Sequence, residues 1–178
     1  LPDRRLHQRG SGQEQAAALA ESLKKLPVRA IYSSPLERAV ETAEPLARSL
    51  GLAIQLRPGL LDTDVGEWQG LHLRQLRKLP LWKQVQEQPS QVRFPGGESF
   101  QELQERLVRE IDLIRLAHKT RDMLAVVFHA DPIKLAVAHY LGLSLDNFQR
   151  LNAQTGSVTI LKMDGSLGKL LALNLIPP

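Results

Sequence analysis

The sequence predicts an α/β protein, a three-layer α/β/α sandwich with a mainly parallel sheet. Short apolar runs of strand length alternate with longer segments whose apolar residues recur every three to four positions, as in amphipathic helices. Alternation of strand and helix implies parallel strands joined by crossover helices. The runs at 28–32 and 123–128 are mostly apolar, which is typical of strands covered on both faces.

Each element has its own signal. Helices are predicted at 13–25, 36–50, 71–79, 81–87, 99–117 and 135–141. Strands are predicted at 28–32, 53–56, 123–128, 156–163 and 169–175. Gly51 is placed to end the second helix, and Ser99 with Glu102 forms a capping box at the start of the fifth. Asp164 and Gly165 form a hairpin turn signal between the last two strands.

The whole chain, 1–178, is predicted to be one domain, in keeping with its length of 178 residues. The segment 60–95 is polar and interrupted by prolines, and we expect it to form a cap over the functional site. Substrate specificity would then lie in 71–93, which contains no readable motif. Basic residues of this segment would either favour acidic substrates or simply form surface; they are Arg74, Arg77, Lys78, Lys83 and Arg93.

The composition limits the classes of function. With 43% hydrophobic and 24% charged residues the chain is an ordinary globular protein, and no apolar run approaches the length of a membrane span. The absence of cysteine excludes disulfides, a thiolate nucleophile and cysteine-based zinc sites, and it fits a reducing cytoplasm. The net charge of +4 suits an anionic ligand.

Nucleic acid is not expected as a partner, because basic residues are mixed with acidic ones and aromatic residues make up only 4% of the chain. Such mixing on a helix is typical of a solvated face. The predicted fifth helix shows it at Glu102, Glu105, Arg106, Arg109 and Glu110. The sequence has no nucleotide-phosphate loop, dinucleotide fingerprint, serine-hydrolase elbow or metal-ligand spacing.

Arg38 follows the strand 28–32 and lies near the start of the next helix. Helix N-termini and the carboxyl ends of parallel strands are where anions bind in open α/β sheets. Arginine carries a permanent charge and a planar fork that matches two phosphate oxygens. Arg38 is therefore a candidate phosphate ligand, although its position alone would fit a solvated helix arginine equally well.

His129 directly follows the apolar run 123–128 and precedes a helical segment. A histidine at the end of an apolar strand is often a buried residue whose hydrogen bonds are satisfied within the core. Whether His129 is functional therefore depends on the motif around it. Asp131 stands before Pro132, a routine start of a helix, which predicts Asp131 as an N-cap or, alternatively, as a substrate contact.

Four segments carry recognisable short motifs. The segment 34–43 (SPLERAVETA) has the pattern S-x-L-x-R-A-x-x-T-A. The segment 59–70 (GLLDTDVGEWQG) is similar to L-x-E-x-D-F-G-x-W-E-G, and 94–99 (FPGGES) matches a P-G-G-E-S that precedes a long helix. A weaker match is 12–16 (GQEQA), to G-x-x-Q-A at the start of the first helix. Together these segments resemble signatures of the histidine phosphatase family, the phosphoglycerate-mutase-like enzymes, and they occur in the family's order.

A further segment, 128–134 (FHADPIK), resembles the family's S-H-G-G-x-I-R. It departs from that pattern at four positions, Phe128, Ala130, Asp131 and Lys134. The match is therefore one of pattern and context, a strand followed by a histidine and a helix.

The resemblance implies a phosphoglycerate-mutase-like fold and a role for each matching residue. Arg38 would grip the transferred phosphoryl group, and His129 would be the second catalytic histidine, with Ala130 beside it at the phosphate. Asp62 takes the position of the family's acid/base glutamate but is one methylene shorter, so Asp64 and Glu67 remain alternatives. No metal and no cofactor are implied. Within the same motif Trp68 is expected to pack the loop rather than bind a ligand.

The family's nucleophile is a histidine in an R-H-G motif at the end of the first strand, and this motif does not occur in the sequence. We expect that the sequence lacks an N-terminal segment of the natural protein or has a gap before the first helix. The alternatives are a natural short form without this chemistry, and His7 as a displaced nucleophile. The absent strand is expected between 28–32 and 123–128.

The function implied is hydrolysis of a phosphomonoester, a small phosphorylated metabolite, through a phosphohistidine intermediate. One alternative is an inactive member that binds a phospho-ligand or a partner. A second is a phosphoglycerate-mutase-type phosphotransferase. It is less favoured because mutases of this family carry longer insertions, whereas this chain has the size of the family's phosphatases. A cytoplasmic location is expected, with no membrane contact, and a homodimer is one option for assembly.

Overall fold

The computed structural model describes the backbone of residues 4–177 and the side chains of residues 12–177. Its helices are α1 (Arg4–Leu23), α2 (Glu37–Leu50), α3 (Leu73–Leu76), α4 (Pro80–Glu87), α5 (Phe100–Leu116) and α6 (Ala130–Tyr140). Its strands are β1 (Val28–Ser33), β2 (Ile54–Leu56), β3 (Met123–Val127), β4 (Val158–Asp164) and β5 (Leu167–Leu175). The α/β class is confirmed, and each predicted strand is present close to its predicted bounds.

The sheet that carries the fold has the order β2-β1-β3, and all of its strands are parallel. Successive residues of the central strand β1 point to opposite faces. Ile31 packs with residues of α1 and α2, whereas Ala30 and Tyr32 pack with Ile114 of α5. Helices therefore cover both faces of the sheet, as the three-layer prediction requires. The hairpin β4–β5 forms a separate antiparallel sheet.

The predicted place of a further strand, between 28–32 and 123–128, is wrong. β1 pairs directly with β3, with Ile31 opposite Ala125, and it pairs with β2 along its other edge. Both edges of β1 are thus used. Within residues 4–177, the edge of β3 that faces away from β1 has no strand partner.

Helix α1 is longer than predicted, because it begins at Arg4 rather than at Gln13. Among the side chains described from residue 12 onward, Ala16 is the first buried one, and the apolar pattern marked only the second half of the helix. Gly10 and Gly12 lie inside it, although glycine costs a helix interior about 1 kcal/mol relative to alanine. The side chain of His7 lies outside the described residues. None of the helices in 4–177 has the length and apolar character needed to cross a bilayer.

The segment 60–95 contributes several side chains to the core. Trp68, Val85, Val92 and Phe94 are buried in one cluster with residues of α5 and α6. The ring of Trp68 lies 6.5 Å from that of Trp82 and 5.2 Å from that of Phe94. The expectation that Trp68 packs the loop is confirmed. The two helices predicted in this segment are present: α3 is shorter than the predicted 71–79, whereas α4 agrees with the predicted 81–87 to within one residue.

Candidate active site

Arg38 and His129 lie at the same edge of the sheet. Arg38 is in the first turn of α2, which follows β1, and His129 comes two residues after the end of β3. Because β1 and β3 are neighbouring parallel strands, their carboxyl ends meet at one edge. This is the arrangement that the strand-end positions of the two residues predicted.

Asp62 joins these two residues. It lies beyond β2, after a 3₁₀ turn at Pro58–Leu60. Its Oδ2 atom is 2.5 Å from Nη2 of Arg38 and 3.5 Å from Nδ1 of His129. Since both contacts are to one oxygen, the two nitrogens lie no more than about 6 Å apart. The three side chains predicted as site residues thus meet at one point.

The imidazole of His129 is held on both sides. Its Nε2 is hydrogen-bonded to Oγ of Ser34 at 2.9 Å, and its Nδ1 faces Asp62. Ser34 is itself fully buried, and its backbone N–H donates to the carbonyl of Val127. The sequence analysis did not single out Ser34, although the motif that pointed to Arg38 contains it.

Ala130 is the first residue of α6 and is exposed. Its N–H belongs to the first turn of a helix, where backbone N–H groups have no partner within the helix and attract anions. The prediction that Asp131 caps this helix is wrong, because the N-cap is His129 and Asp131 lies inside the first turn. Asp131 instead pairs with Nζ of Lys134 at 2.7 Å.

The alternative acids are placed differently from Asp62. Asp64 uses Oδ1 to accept the N–H of Gly66 at 3.0 Å. The side chain of Glu67 lies beside Gly96 in the next loop. Among the ion pairs and hydrogen bonds of the described residues, only Asp62 joins both Arg38 and His129.

The two loop motifs dock onto each other through their backbones. Glu98 donates its N–H to the carbonyl of Asp64 at 3.0 Å, and its side chain accepts the N–H of Asp64 at 2.9 Å. A Cβ atom added to Gly97 would lie 2.8 Å from the nitrogen of Gly66, so the approach needs glycine there. Gly66 has a φ of +52° and faces the same segment. The loop that carries Asp62 is thereby fixed.

The prediction of a solvated face on α5 is wrong for Arg106 and Glu110. Arg106 is 27% exposed and donates to the carbonyls of Gly59, Leu61 and Asp62. Glu110 is 15% exposed and faces Arg57. The other charged residues of this set are exposed as expected; they are Glu102, Glu105 and Arg109. Mixed charge in the sequence could not separate the two groups, because what distinguishes them is a loop packed on one side of α5.

Basic residues of the segment 71–93 are exposed; they are Arg74, Arg77, Lys78, Lys83 and Arg93. Arg93 forms an ion pair with Glu102 and also donates to the carbonyl of Gly97. Among the described residues, no three His, Asp or Glu side chains are grouped closely enough to hold a metal ion.

Burial is the main influence on the pKa of His129, which it lowers below the usual value of 6.5. The carboxylate of Asp62 raises this pKa, whereas the charges of Arg38 and Arg106 lower it. The net direction of the shift in the pKa of His129 is downward, which favours the neutral imidazole. A neutral imidazole can either donate or accept at Nδ1, according to its tautomer.

Asp62→Asn is expected to lower the pKa of His129 further, because it removes the one charge that raises it. The measurement is an NMR titration of the His129 ring between about pH 8 and about pH 4. Asp164→Asn, at an exposed carboxylate on the distant hairpin, is the control and should leave the titration unchanged. A pKa that rises in Asp62→Asn would contradict the arrangement.

The same shift gives stability a pH dependence with a definite sign. A histidine whose pKa is lowered by folding binds fewer protons in the folded state than in the unfolded state. Its contribution to stability is present above about pH 6.5 and is lost as the pH falls through the lowered pKa. The free energy of unfolding should therefore decline less with falling pH in His129→Gln than in the wild type.

The fold and the site together define an α/β protein of the phosphoglycerate-mutase-like class. The family model of the histidine phosphatase superfamily (branch 1) matches residues 3–176, and the chain belongs to this superfamily.

Three proteins illustrate what the chain is similar to. Phosphoserine phosphatase 1 of Hydrogenobacter thermophilus is 29% identical over 166 residues, which cover 92% of this chain and 78% of that protein. The 2,3-bisphosphoglycerate-dependent phosphoglycerate mutase of Thermoplasma acidophilum is 26% identical over 170 residues, covering 93% and 78%. The solved structure of a mycobacterial glucosyl-3-phosphoglycerate phosphatase matches with a TM-score of 0.82 and 26% identity, covering 92% of this chain and 84% of that one.

Proposed function

We propose that the protein hydrolyses a phosphomonoester, a small phosphorylated metabolite, through a phosphohistidine intermediate. The observation that carries the proposal is the meeting of Arg38 and His129 on a single oxygen of Asp62. Two nitrogen donors within about 6 Å of each other can hold two oxygens of one phosphoryl group. Membership of the histidine phosphatase superfamily and the names of its relatives support the same chemistry.

The phosphoryl group would bind where Oδ2 of Asp62 lies, between Arg38 and His129. The carboxylate would then turn aside toward the leaving group. Arg38, whose side chain is 60% exposed, is free to follow an incoming anion, whereas the buried His129 is fixed. The N–H groups at the start of α6, beginning with Ala130, face the same edge and would add neutral donors.

Asp62 would act as the acid and then as the base. In the first step the nucleophilic histidine forms a bond to phosphorus, the bond to the leaving oxygen breaks, and Asp62 gives that oxygen a proton. In the second step water attacks phosphorus, the phosphorus–nitrogen bond breaks to release the histidine, and Asp62 takes a proton from the attacking water. Arg38 and His129 stabilise the charge that builds on the phosphoryl oxygens in both steps.

We propose that the nucleophilic histidine ends a further parallel strand along the edge of β3 that has no strand partner within residues 4–177. β1 has no free edge, and His129 follows β3, so a strand that pairs with β3 would end beside His129. The apolar residues of β3 are only half-buried, unlike those of β1, which suits a strand that gains a neighbour.

The relatives suggest the class of substrate. Their names specify phosphoserine and glucosyl-3-phosphoglycerate, both phosphate esters of small alcohols. The segment 71–93 would select among such substrates as part of a cap, 60–95, within a single domain. The cysteine-free sequence supports a cytoplasmic location. Two expectations about partners remain predictions: that the protein does not bind nucleic acid, and that a homodimer is one option for its assembly.

Trapping the covalent intermediate tests the proposal. The protein in its full natural length is mixed with a radiolabelled phosphomonoester and quenched within one turnover. We expect a label that is stable in alkali and lost in acid, as for a phosphorus–nitrogen bond, on a histidine other than His129. A label on His7 would identify that residue as the nucleophile instead.

Two other outcomes would overturn the proposal. Phosphate binding without any turnover would favour the alternative of a phospho-ligand-binding protein. Transfer of the label to a second phosphorylated metabolite rather than to water would favour the mutase-type phosphotransferase, and one relative carries that name.

A further inference from the structure

Arg106 is fully engaged with the loop that carries Asp62. Its Nη1 donates to the carbonyls of Gly59 at 2.9 Å and Leu61 at 3.1 Å, and its Nη2 donates to the carbonyl of Asp62 at 3.3 Å. The guanidinium also pairs with Glu98, with Nη2 to Oε1 at 2.8 Å and Nε to Oε2 at 3.4 Å. These five contacts equal the five N–H donors of an arginine.

Arg106 differs from Arg38 in that all five of its N–H donors are used. Among the residues whose side chains are described, Arg38 pairs with Asp62 alone, and it is 60% exposed, so it can bind an anion without breaking a network. Arg106 is 27% exposed, and a phosphate could reach it only if a carbonyl or Glu98 lost its donor. Arg106 is therefore placed to hold the protein rather than to hold the substrate.

Glu98 extends this hold to the other side of Asp62. Its Oε1 accepts the N–H of Asp64 at 2.9 Å while it pairs with Arg106. Its side chain is only 16% exposed. Arg106 thus fixes the carbonyls at and before Asp62, and Glu98 fixes the N–H two residues later.

The position from which the Asp62 carboxylate acts, both as observed and after it turns toward the leaving group, depends on this backbone. Its Oδ1 accepts the N–H of the next residue, Thr63, at 3.0 Å, and its Oδ2 faces Arg38 and His129. A shift of the loop would move both oxygens together. Proton transfer needs a donor within about 2.6–3.2 Å of the reacting atom, so a small shift is enough to impair it.

We propose that Arg106 and Glu98 form a positioning pair that sets Asp62 for proton transfer to the leaving group. The inference rests on the proposed function, because it assumes that Asp62 is the acid. It concerns two residues that touch neither the phosphoryl group nor the reacting atoms. If the pair positions Asp62, its loss should slow substrates whose leaving group needs a proton more than substrates whose leaving group does not. A purely structural role would affect both kinds of substrate equally.

The test compares a poor and a good leaving group. An alkyl phosphate needs protonation of its leaving oxygen, whereas 2,4-dinitrophenyl phosphate leaves as a stable anion and needs little. Arg106→Gln should lower kcat/KM for the alkyl phosphate by at least about tenfold more than for the dinitrophenyl ester. Arg106→Lys, which keeps the charge but not the fork, should recover only part of the loss.

Three comparisons sharpen the result. Arg109→Gln, at an exposed arginine of the same helix, should change neither rate. Asp62→Asn should show the same selective loss, and adding Arg106→Gln to it should cost less than about threefold more, because the two act as one unit. Glu98→Gln should also affect the alkyl phosphate selectively.

A second measurement does not depend on turnover. Amide hydrogen exchange at Thr63 and Asp64 should become at least about tenfold faster in Arg106→Gln and stay unchanged in Arg109→Gln. Equal loss on both substrates, or unchanged exchange at these amides, would overturn the positioning role. A wild type that hydrolyses neither ester would contradict the proposed function, and the exchange data would still decide whether the pair holds the loop.

Discussion

Arg38→Ala and His129→Ala are each expected to lower the hydrolysis of p-nitrophenyl phosphate by at least about a hundredfold, the scale of losing one preorganised donor to a developing charge. Both residues contact the same oxygen of Asp62, so each substitution removes one of the two side chains that would bind the phosphoryl group. The measurement is steady-state kinetics with kcat and KM determined separately. The loss should lie mainly in kcat, because the donors act on charge that grows in the transition state.

Matched controls come from the same two helices. Arg48→Ala removes an exposed arginine of α2 that pairs with Glu44, and His139→Ala removes an exposed histidine of α6. Both should keep rates near that of the wild type. Since His129 is buried, His129→Gln and an unfolding curve distinguish lost chemistry from lost structure. Near-wild-type rates in either alanine variant at the site would contradict the mechanism.

The sequence was sufficient to predict that Arg38, His129 and Asp62 lie together. Arg38 and His129 each follow a strand that the apolar runs marked clearly, and parallel strands bring their carboxyl ends to one edge. Asp62 was singled out by the resemblance of 59–70 to the family's loop motif, and the structure shows why that loop needs glycine, since Gly66 and Gly97 approach each other closely. Strand ends and short motifs are local patterns, which a sequence displays directly.

The predictions that were wrong or missing concern contacts between residues far apart in the sequence. The order of strands in a sheet is set by which edges pair, and no pattern within 28–32 or 123–128 shows that β1 and β3 are direct neighbours. Arg106 looked like a solvated helix residue because its partners lie 44 to 47 positions earlier in the chain. Ser34 was overlooked for the same reason, since its contact with His129 spans 95 positions.

Phe100 stabilises the part of the core on which the Asp62 loop depends. It is the first residue of α5, follows Glu98 by two positions and is 1% exposed. Its ring lies 5.2 Å from that of Phe94 and 5.0 Å from that of Phe148. It therefore joins α5 both to the segment 60–95 and to the turn after α6.

Phe100→Ala is expected to lower the free energy of unfolding by about 3–5 kcal/mol, because it leaves a cavity where three elements meet. Urea unfolding followed by circular dichroism measures the change. Leu116→Ala, at a residue of the same helix that is 83% exposed, is the control and should change stability by less than about 0.5 kcal/mol. If Phe100→Ala does not fold, Phe100→Leu should still fold with a smaller loss. A loss below about 1 kcal/mol in the alanine variant would mean that the aromatic cluster is not the anchor of α5, and that the loop is held by Arg106 and Glu98 alone.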